Sequence, residues 1–350
     1  MISVIIPAYN AAGTLPAAVE SVLAQTVREL ELIIVNDGSK DETLKIAEGY
    51  REKYSFIKVI SRENGGAAAA RNAGLAAAEG EYIAFLDADD SYDPDFLETL
   101  YNAAKKYDAD LVKSGLKYVG GVVFGDGSVR ARHPFSGEEL FDTREKIAEL
   151  MLGTIGAEPR EPFDSRYEQG VYLCLYRTAI IKRAGLVFRS ERELLSEDVL
   201  FSLEFCLHTE RAVGVDFCGY NYNLSGGSLS KKINPEHFDK IKRLRAAAAE
   251  ILSGVTDEKT YTRFLDRNFQ ANYRFALMLL LAEESSPELN KRVAEILKDD
   301  ELRRVLRRYP IGKLPLKQSI FAFAMKHRLV LLMKLLVKLR KGRQAQSVSR

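Results

Sequence analysis

The chain has 350 residues, 51 basic against 49 acidic for a net charge of +2, and only three cysteines. That length suits one large domain plus an appendage, burying about three quarters of its extended-chain surface without covalent staples. The balanced charge speaks against a nucleic-acid partner. Cys174, Cys206 and Cys218 are odd in number and lack C-x-x-C spacing, so they suit neither a zinc site nor a disulfide frame.

Ser3-Val4-Ile5-Ile6 reads as a short buried strand stopped by Pro7, with a helix from about Thr14 to Ala24. Leu32-Ile33-Ile34-Val35 is a second strand, ended by Asn36-Asp37-Gly38-Ser39 and followed by a helix from about Asp41 to Lys53. Ile57 to Ile60 is a third strand, then a loop and an Ala-rich helix over 67–79, then a fourth strand from Tyr82 to Leu86. Short, wholly apolar strands alternating with helices imply an open, doubly wound, mostly parallel α/β sheet. Such sheets bind ligands beyond the strand C-termini, which gathers Tyr9, Asn10, Asp37, Asp87, Asp89 and Asp90 on one rim with Arg71 aimed at it.

Further along, 110–118 and 121–124 read as strands and 143–152 as a helix. The polar stretch 154–170 has the length of a loop that covers an active site. Helices are expected at about 177–184 and 197–208, then in succession from about 235 to 308, with a break at Tyr309–Gly312. In the last forty residues Lys326, His327, Lys334, Lys338 and Lys341 fall on one side of a helical wheel, and Leu329, Leu332, Met333, Leu335, Leu336 and Leu339 mostly on the other. No acidic residue follows Glu301, so segment 317–341 suits an anionic membrane surface, or else packs on the domain or a partner. Neither a basic leader nor a run of about 18 apolar residues is present, so the expected place is the cytoplasm, peripheral at the inner face of the plasma membrane.

Carboxylates at one-residue spacing beyond a strand suit a divalent cation, Mn²⁺ or Mg²⁺, which uses one or two of them and fills the rest of its shell with phosphate and water. Asp87 and Asp89 point the same way from an extended segment, while Asp90 or Asp93 serves as a helix cap. Asp37 either accepts from a base or ribose or makes an Asx turn through Gly38 and Ser39. Tyr9 is a stacking ring or a half-buried aromatic, and Arg71 a phosphate partner or a solvated helix residue. Glu197 and Asp198 open a helix, where they are either a cap and dipole partners or a general base. G-x-G-x-x-G and Walker-A spacings are absent.

The blocks "SVIIPAYNAAGTL", "ELIIVNDGSKDET", "ENGGAAAARNAGL", "GEYIAFLDADD" and "SEDVLFSLEF", in that order, resemble the family-2 glycosyltransferases of GT-A fold, of the bacterial surface-polysaccharide type. The resemblance implies a GT-A domain over 1–232, with a nucleotide-binding half 1–110 and an acceptor half 111–232. A helical extension 233–308 and a basic amphipathic helix and tail 309–350 complete the division. It implies that Pro7, Ala8, Tyr9 and Asn10 border the base, with Asp37 as its partner and Arg71 beside base and phosphates. Asp87, with Ala88 next to it, is implied near the ribose, Asp89 as metal ligand, and Asp198 as catalytic base beside Glu197. Tyr222 and Ser228 lie in the segment implied to hold the diphosphate or acceptor. The implied reaction is an inverting transfer from a nucleotide-sugar to a glycan or lipid-linked acceptor. In the family an aromatic-Asn-Lys-Leu-Tyr series often stands near 171–177 and an Arg often follows the later tyrosines. Here the residues are Tyr172-Leu173-Cys174-Leu175-Tyr176 and Asn223. The alternatives are a catalytically silent sugar-nucleotide-binding module and a nucleotidyltransferase, the latter disfavoured because "PAYNAAGTL" carries no basic residue.

Overall fold

The opening apolar runs form β1 (Ile2–Ala8), β2 (Leu30–Asp37), β3 (Ile57–Arg62) and β4 (Tyr82–Phe85), paired in parallel in the order β3-β2-β1-β4. This computed structural model describes residues 1–120, 130–224, 233, 236–283 and 286–348. Between the strands run α1 (Leu15–Leu23), α2 (Thr43–Lys53) and α3 (Ala67–Ala77), and α4 (Phe96–Tyr107) follows β4. Val4, Ile6, Leu32 and Ile34 join one core with Leu15, Val19 and Val22 of α1 and Leu97 and Leu100 of α4. The side chains of alternate residues face the other way, toward α3. There Gly74 lies so close that a β-carbon would stand 2.4 Å from Ile5 Cγ2, an approach only glycine permits.

Pro7 does not stop β1 as the sequence suggested. Pairing with β4 covers only Ile2–Ile5, so Pro7 sits where β2 is the sole neighbour and a missing N–H is tolerated.

The chain continues with β5 (Ser91–Tyr92), β6 (Leu111–Lys113), β7 (Leu116–Val119), β8 (Arg130–Arg132), β9 (Glu138–Phe141) and α5 (Arg144–Ile155). A 3-10 turn at Val171–Leu173 leads into β10 (Cys174–Arg177), then α6 (Thr178–Ala184), α7 (Glu197–Cys206), β11 (Ala212–Val215) and β12 (Tyr220–Asn223). The large sheet runs β3-β2-β1-β4-β10-β6-β11-β9, with β10 and β9 antiparallel to their neighbours, and a small one runs β5-β12-β7-β8. The stretch 110–118, expected as one strand, is two. Ser114 N donates to Leu173 O (3.0 Å) and Gly115 N to Phe217 O (2.9 Å), which takes the chain from the large sheet to the small one. The strand expected at 121–124 lies outside the described residues.

Among the described residues, one compact unit holds 1–120, 130–151 and 168–224, and a second holds 152–167 and 236–348. The second unit contains α8 (His237–Ser253), α9 (Glu258–Glu283), α10 (Pro287–Ile296), α11 (Asp300–Arg308), a 3-10 turn at Ile311–Lys313, α12 (Leu316–Lys326) and α13 (Val330–Val348). Helix α9 packs against the five other helices of this unit. Residues 157–165, read from sequence as part of a covering loop, are fastened to it. The buried Arg267 guanidinium donates to Pro159 O (3.2 Å), Glu161 O (3.1 Å) and Phe163 O (2.8 Å).

The terminal segment, expected as one helix, is broken into α12 and α13 at Arg328, whose φ is +55°. Among the described residues no helix is long and apolar enough to cross a membrane.

Candidate active site

The C-terminal ends of β1, β2 and β4 present their loops at one edge of the large sheet. Pro7 and Ala8 end β1, and Tyr9 follows with its ring 46% exposed. Asn10 takes a left-handed φ of +48°, which asparagine tolerates. Its N–H donates to Ser39 Oγ (3.0 Å) and its Oδ1 accepts from Lys40 N (2.8 Å), tying the first loop to the second. The Asx turn at Gly38 and Ser39 is made by Asn36, whose Oδ1 accepts from Ser39 N (3.3 Å), not by Asp37. Asp37 is 2% exposed and turned to the next loop. Its Oδ1 accepts from Arg62 Nη1 (2.7 Å) and Gly65 N (3.0 Å), and its Oδ2 from Gly66 N (2.7 Å).

Arg71, in the first turns of α3, is not a solvated helix residue. It is buried, with Nη2 3.0 Å from Asp87 Oδ1 and Nη1 2.9 Å from Glu197 Oε1, its guanidinium 5.5 Å from the Phe188 ring centroid. Burial disfavours its charge, but the carboxylates of Asp87, Glu197 and Asp198 outweigh that and hold the proton on. One arginine thereby joins the end of β4 to the start of α7.

Asp198, beside Glu197, has its carboxyl pushed up to about 7 by burial first and the Glu197 charge second, with Arg71 pulling the other way. Its Oδ1 accepts only from the adjacent Val199 N (2.9 Å) among the described residues.

Asp89 is exposed at the rim, and among the described residues no side chain bonds its carboxylate. Partial desolvation and the neighbouring Asp87 raise its carboxyl above the ordinary range. Ala88, between the two, is 8% exposed. Asp90 closes a turn through its N–H to Asp87 O (3.0 Å), but its carboxylate caps no helix. It is 2% exposed and accepts from Tyr220 OH (2.6 Å) and Asn223 N (2.7 Å). Burial and then the Asp87 charge push it up to about 8. Asp93 does not cap α4 either, being held by Lys117 and by Asn221 Nδ2. Gln25 takes that position, its Oε1 accepting from Leu97 N (2.9 Å).

Beside these acids the Tyr172 ring stacks on Tyr220 with centroids 4.4 Å apart, and Tyr222 lies 6.1 Å from Tyr172. Asn223 Nδ2 donates to Asp89 O (2.7 Å), so the residue standing where an arginine was expected supports the loop of the acidic motif. Ser228 lies outside the described residues.

Residues 3–162 match the family described as Glycosyl transferase family 2. The glycosyltransferase YibD of Escherichia coli (strain K12) is 31% identical over 257 residues, covering 69% of each chain. The chain belongs to glycosyltransferase family 2. A cholesterol galactosyltransferase of Borreliella burgdorferi is 31% identical over 248 residues, which span 69% of this chain and 64% of that one. Among solved structures, S. aureus TarS 1–349 in complex with UDP-GlcNAc superposes with a TM-score of 0.67 at 21% identity, over 97% of this chain and 92% of that one. That likeness shows the fold, the GT-A-like mixed sheet with a helical C-terminal region that the sequence implied.

In this family-2 glycosyltransferase the structure therefore brings Arg71, Asp87, Glu197 and Asp198 together, with Asp89 and Asp90 next to them in sequence and Tyr222 near Tyr172. The sequence reading missed Tyr220 and, having noted Tyr172 and Asn223 only as part of segments that depart from the family pattern, gave neither a part in the site. The available signal was the alternation Tyr220-Asn221-Tyr222-Asn223, which puts both tyrosines on one face of a strand.

Proposed function

We propose that the protein transfers a hexose or N-acetylhexosamine from a UDP-sugar to a hydroxyl of a glycan or lipid-linked acceptor, with inversion, in cell-surface polysaccharide synthesis. The observation that carries this reading is the Asp198 carboxyl, raised to about 7 and without a side-chain hydrogen bond among the described residues, beside the Arg71 ion pairs that tie its neighbour Glu197 to the acidic motif. A carboxylate of that kind removes the proton from the acceptor hydroxyl. The acceptor oxygen then bonds to the anomeric carbon as the bond from that carbon to the diphosphate oxygen breaks, through an oxocarbenium-like state. The UDP-GlcNAc bound by TarS supports the donor class, and the cholesterol galactosyltransferase supports a hydroxyl borne on a lipid.

The loops bearing Pro7 to Asn10, Asp87 and Ala88, with Arg71 of α3, frame the nucleotide in this reading, and Tyr222 and Ser228 lie toward sugar and acceptor. Asp37 acts through the loop it holds, since its oxygens already accept from Arg62, Gly65 and Gly66. Among the described residues no three metal-ligating side chains cluster. Asp89 nevertheless fits a divalent cation, Mn²⁺ or Mg²⁺. It is an exposed carboxylate that no side chain bonds among the described residues, beside Asp87, and such ions complete their shells with phosphate and water. When bound, the cation supplies neutralisation of the charge on the departing diphosphate. In the same reading the enzyme works as a peripheral protein on the cytoplasmic side of an anionic membrane, which the basic, acid-free segment 317–341 supports.

UDP release from a panel of UDP-sugars, with Mn²⁺ and acceptor, tests the reading. Asp198→Asn is expected to lower turnover by about 10³-fold while donor affinity holds, whereas Asp89→Asn weakens Mn²⁺-dependent donor binding. Full turnover by Asp198→Asn would remove Asp198 as the base. Donor binding without turnover in the unsubstituted protein would favour a silent sugar-nucleotide module.

A further inference from the structure

The two terminal helices each expose an apolar stripe. On α12, Leu316, Ile320 and Phe323 are 75%, 36% and 47% exposed, and on α13, Leu331, Leu335 and Leu339 are 78%, 52% and 56% exposed. At about 100° per residue, each trio shares one face of its helix. The opposite faces are already used. Phe321, Ala322 and Met325 of α12 and Met333 and Val337 of α13 are buried, and both helices pack on α9. Apolar side chains scattered singly over a surface need no explanation, but six arranged in two stripes do.

Charge decides what covers them. Between 316 and 339 stand Lys317, Lys326, Arg328, Lys334 and Lys338 with no Asp or Glu among them, and no acid follows Glu301. On α12, Lys317 and Lys326 project about 100° and about 80° to either side of Leu316, so cations flank the stripe. Lysine stems lie along apolar surface while their ammonium heads reach outward. A second copy of this chain would set these cations against their like. Anionic headgroups over acyl chains match both the charge and the apolar face.

We propose that α12 and α13 seat the protein on an anionic bilayer, with Leu316, Ile320, Phe323, Leu331, Leu335 and Leu339 entering the acyl boundary and the flanking cations meeting lipid phosphates. This deepens the peripheral-membrane part of the proposed function and changes its residues. Met333, which the helical wheel placed on the apolar side, belongs to the packed core, and α12, which the wheel barely included, supplies half of the inserting side chains.

Flotation of the full chain with phosphatidylcholine vesicles, with and without phosphatidylglycerol, tests it. Binding is expected only to vesicles containing phosphatidylglycerol and is expected to weaken as salt rises. The triple variant Phe323→Ser, Leu331→Ser, Leu335→Ser should lower the partition coefficient by more than about tenfold, and Lys317→Gln, Lys326→Gln, Lys338→Gln by about tenfold. The substituted side chains are exposed, so circular dichroism and UDP release without vesicles should not change. Equal flotation of the serine variant overturns the proposal. So does self-association in sedimentation velocity that this variant abolishes, since the stripes then belong to a second copy. UDP release is read without lipid, so a failure of membrane seating is separable from a failure of glycosyl transfer.

Discussion

Two buried arginines, one in each compact unit, make opposite use of their charge. Arg267 on α9 donates to three backbone carbonyls between 159 and 163 and to Gln318 Oε1 (2.8 Å), and pairs with Asp164 (3.0 Å). It serves as a clamp for a segment that has no ladder of its own. Arg71 on α3 pairs with two carboxylates, Asp87 and Glu197, one from the end of β4 and one from the start of α7, and lies over the Phe188 ring. Both satisfy the requirement that a buried cation be paired. In the first case the pairing fixes backbone; in the second it gathers acids and lowers the proton affinity of a third, Asp198, against the larger effects of burial and Glu197.

That contrast breaks first at Arg267. Arg267→Met removes the donor to three carbonyls and the partner of Asp164 and is expected to cost about 3 kcal/mol in urea unfolding, with UDP release per folded molecule unchanged. A loss below about 1 kcal/mol would mean the clamp is ornamental.

Arg71→Met should show the reverse balance. Its stability cost is smaller, about 1–2 kcal/mol, because Asp87 is partly exposed, so water takes over part of the solvation once the cation is gone. Turnover at pH 7 is expected to fall about 10²-fold, with the acid limb of the pH–rate profile moved to higher pH. The sign follows from Arg71 favouring the ionised form of Asp198. An unmoved limb would detach Arg71 from the base.

The unsubstituted enzyme sharpens the same point. A base whose carboxyl is raised to about 7 is protonated below that value, so kcat/KM should drop about tenfold per pH unit in acid and level off above. Glu197→Gln removes the neighbouring negative charge and should shift the limb to lower pH. Rates between pH 5 and 9 for both proteins decide it.

How legible this was in the sequence differs between the same regions. The strands β1, β2 and β4 were readable because burial on both faces makes a strand continuously apolar, and the rim followed from the parallel order. The split of 110–118 was not, since it depends on Leu173 and Phe217, far along the chain, receiving Ser114 and Gly115. Asp37 was legible as a rim residue, but its engagement by Arg62, Gly65 and Gly66 was hidden, because a carboxylate in a turn motif says nothing of which loop will fold over it. Arg267 was invisible too: one arginine in a long helix is ordinarily a solvated one, and only the arrival of 159–163 buries it.

The smallest expected effect concerns Asp90, an acid on the edge of the Arg71 cluster but without an arginine. It accepts from Tyr220 OH and Asn223 N, and burial and Asp87 raise it to about 8, so at pH 7 it is mostly protonated in the folded state. The unfolded chain releases that proton at an ordinary carboxyl pKa of about 4. Between about 4 and about 8 the folded state therefore holds the extra proton, and the stability Asp90 contributes is present in acid and lost as pH rises through that window. Asp90→Asn keeps the shape, accepts from Asn223 N, and turns an amide toward Tyr220 OH, which then accepts. Its cost at pH 7 is expected to stay within about 1 kcal/mol. What it should remove is the slope. Urea unfolding at pH 5 and pH 8, without divalent cation, should show the wild-type protein losing more stability on going to pH 8 than Asp90→Asn does. Equal losses would mean that Asp90 is ionised in the folded state, and that β12 is held by a charge instead of a neutral acid.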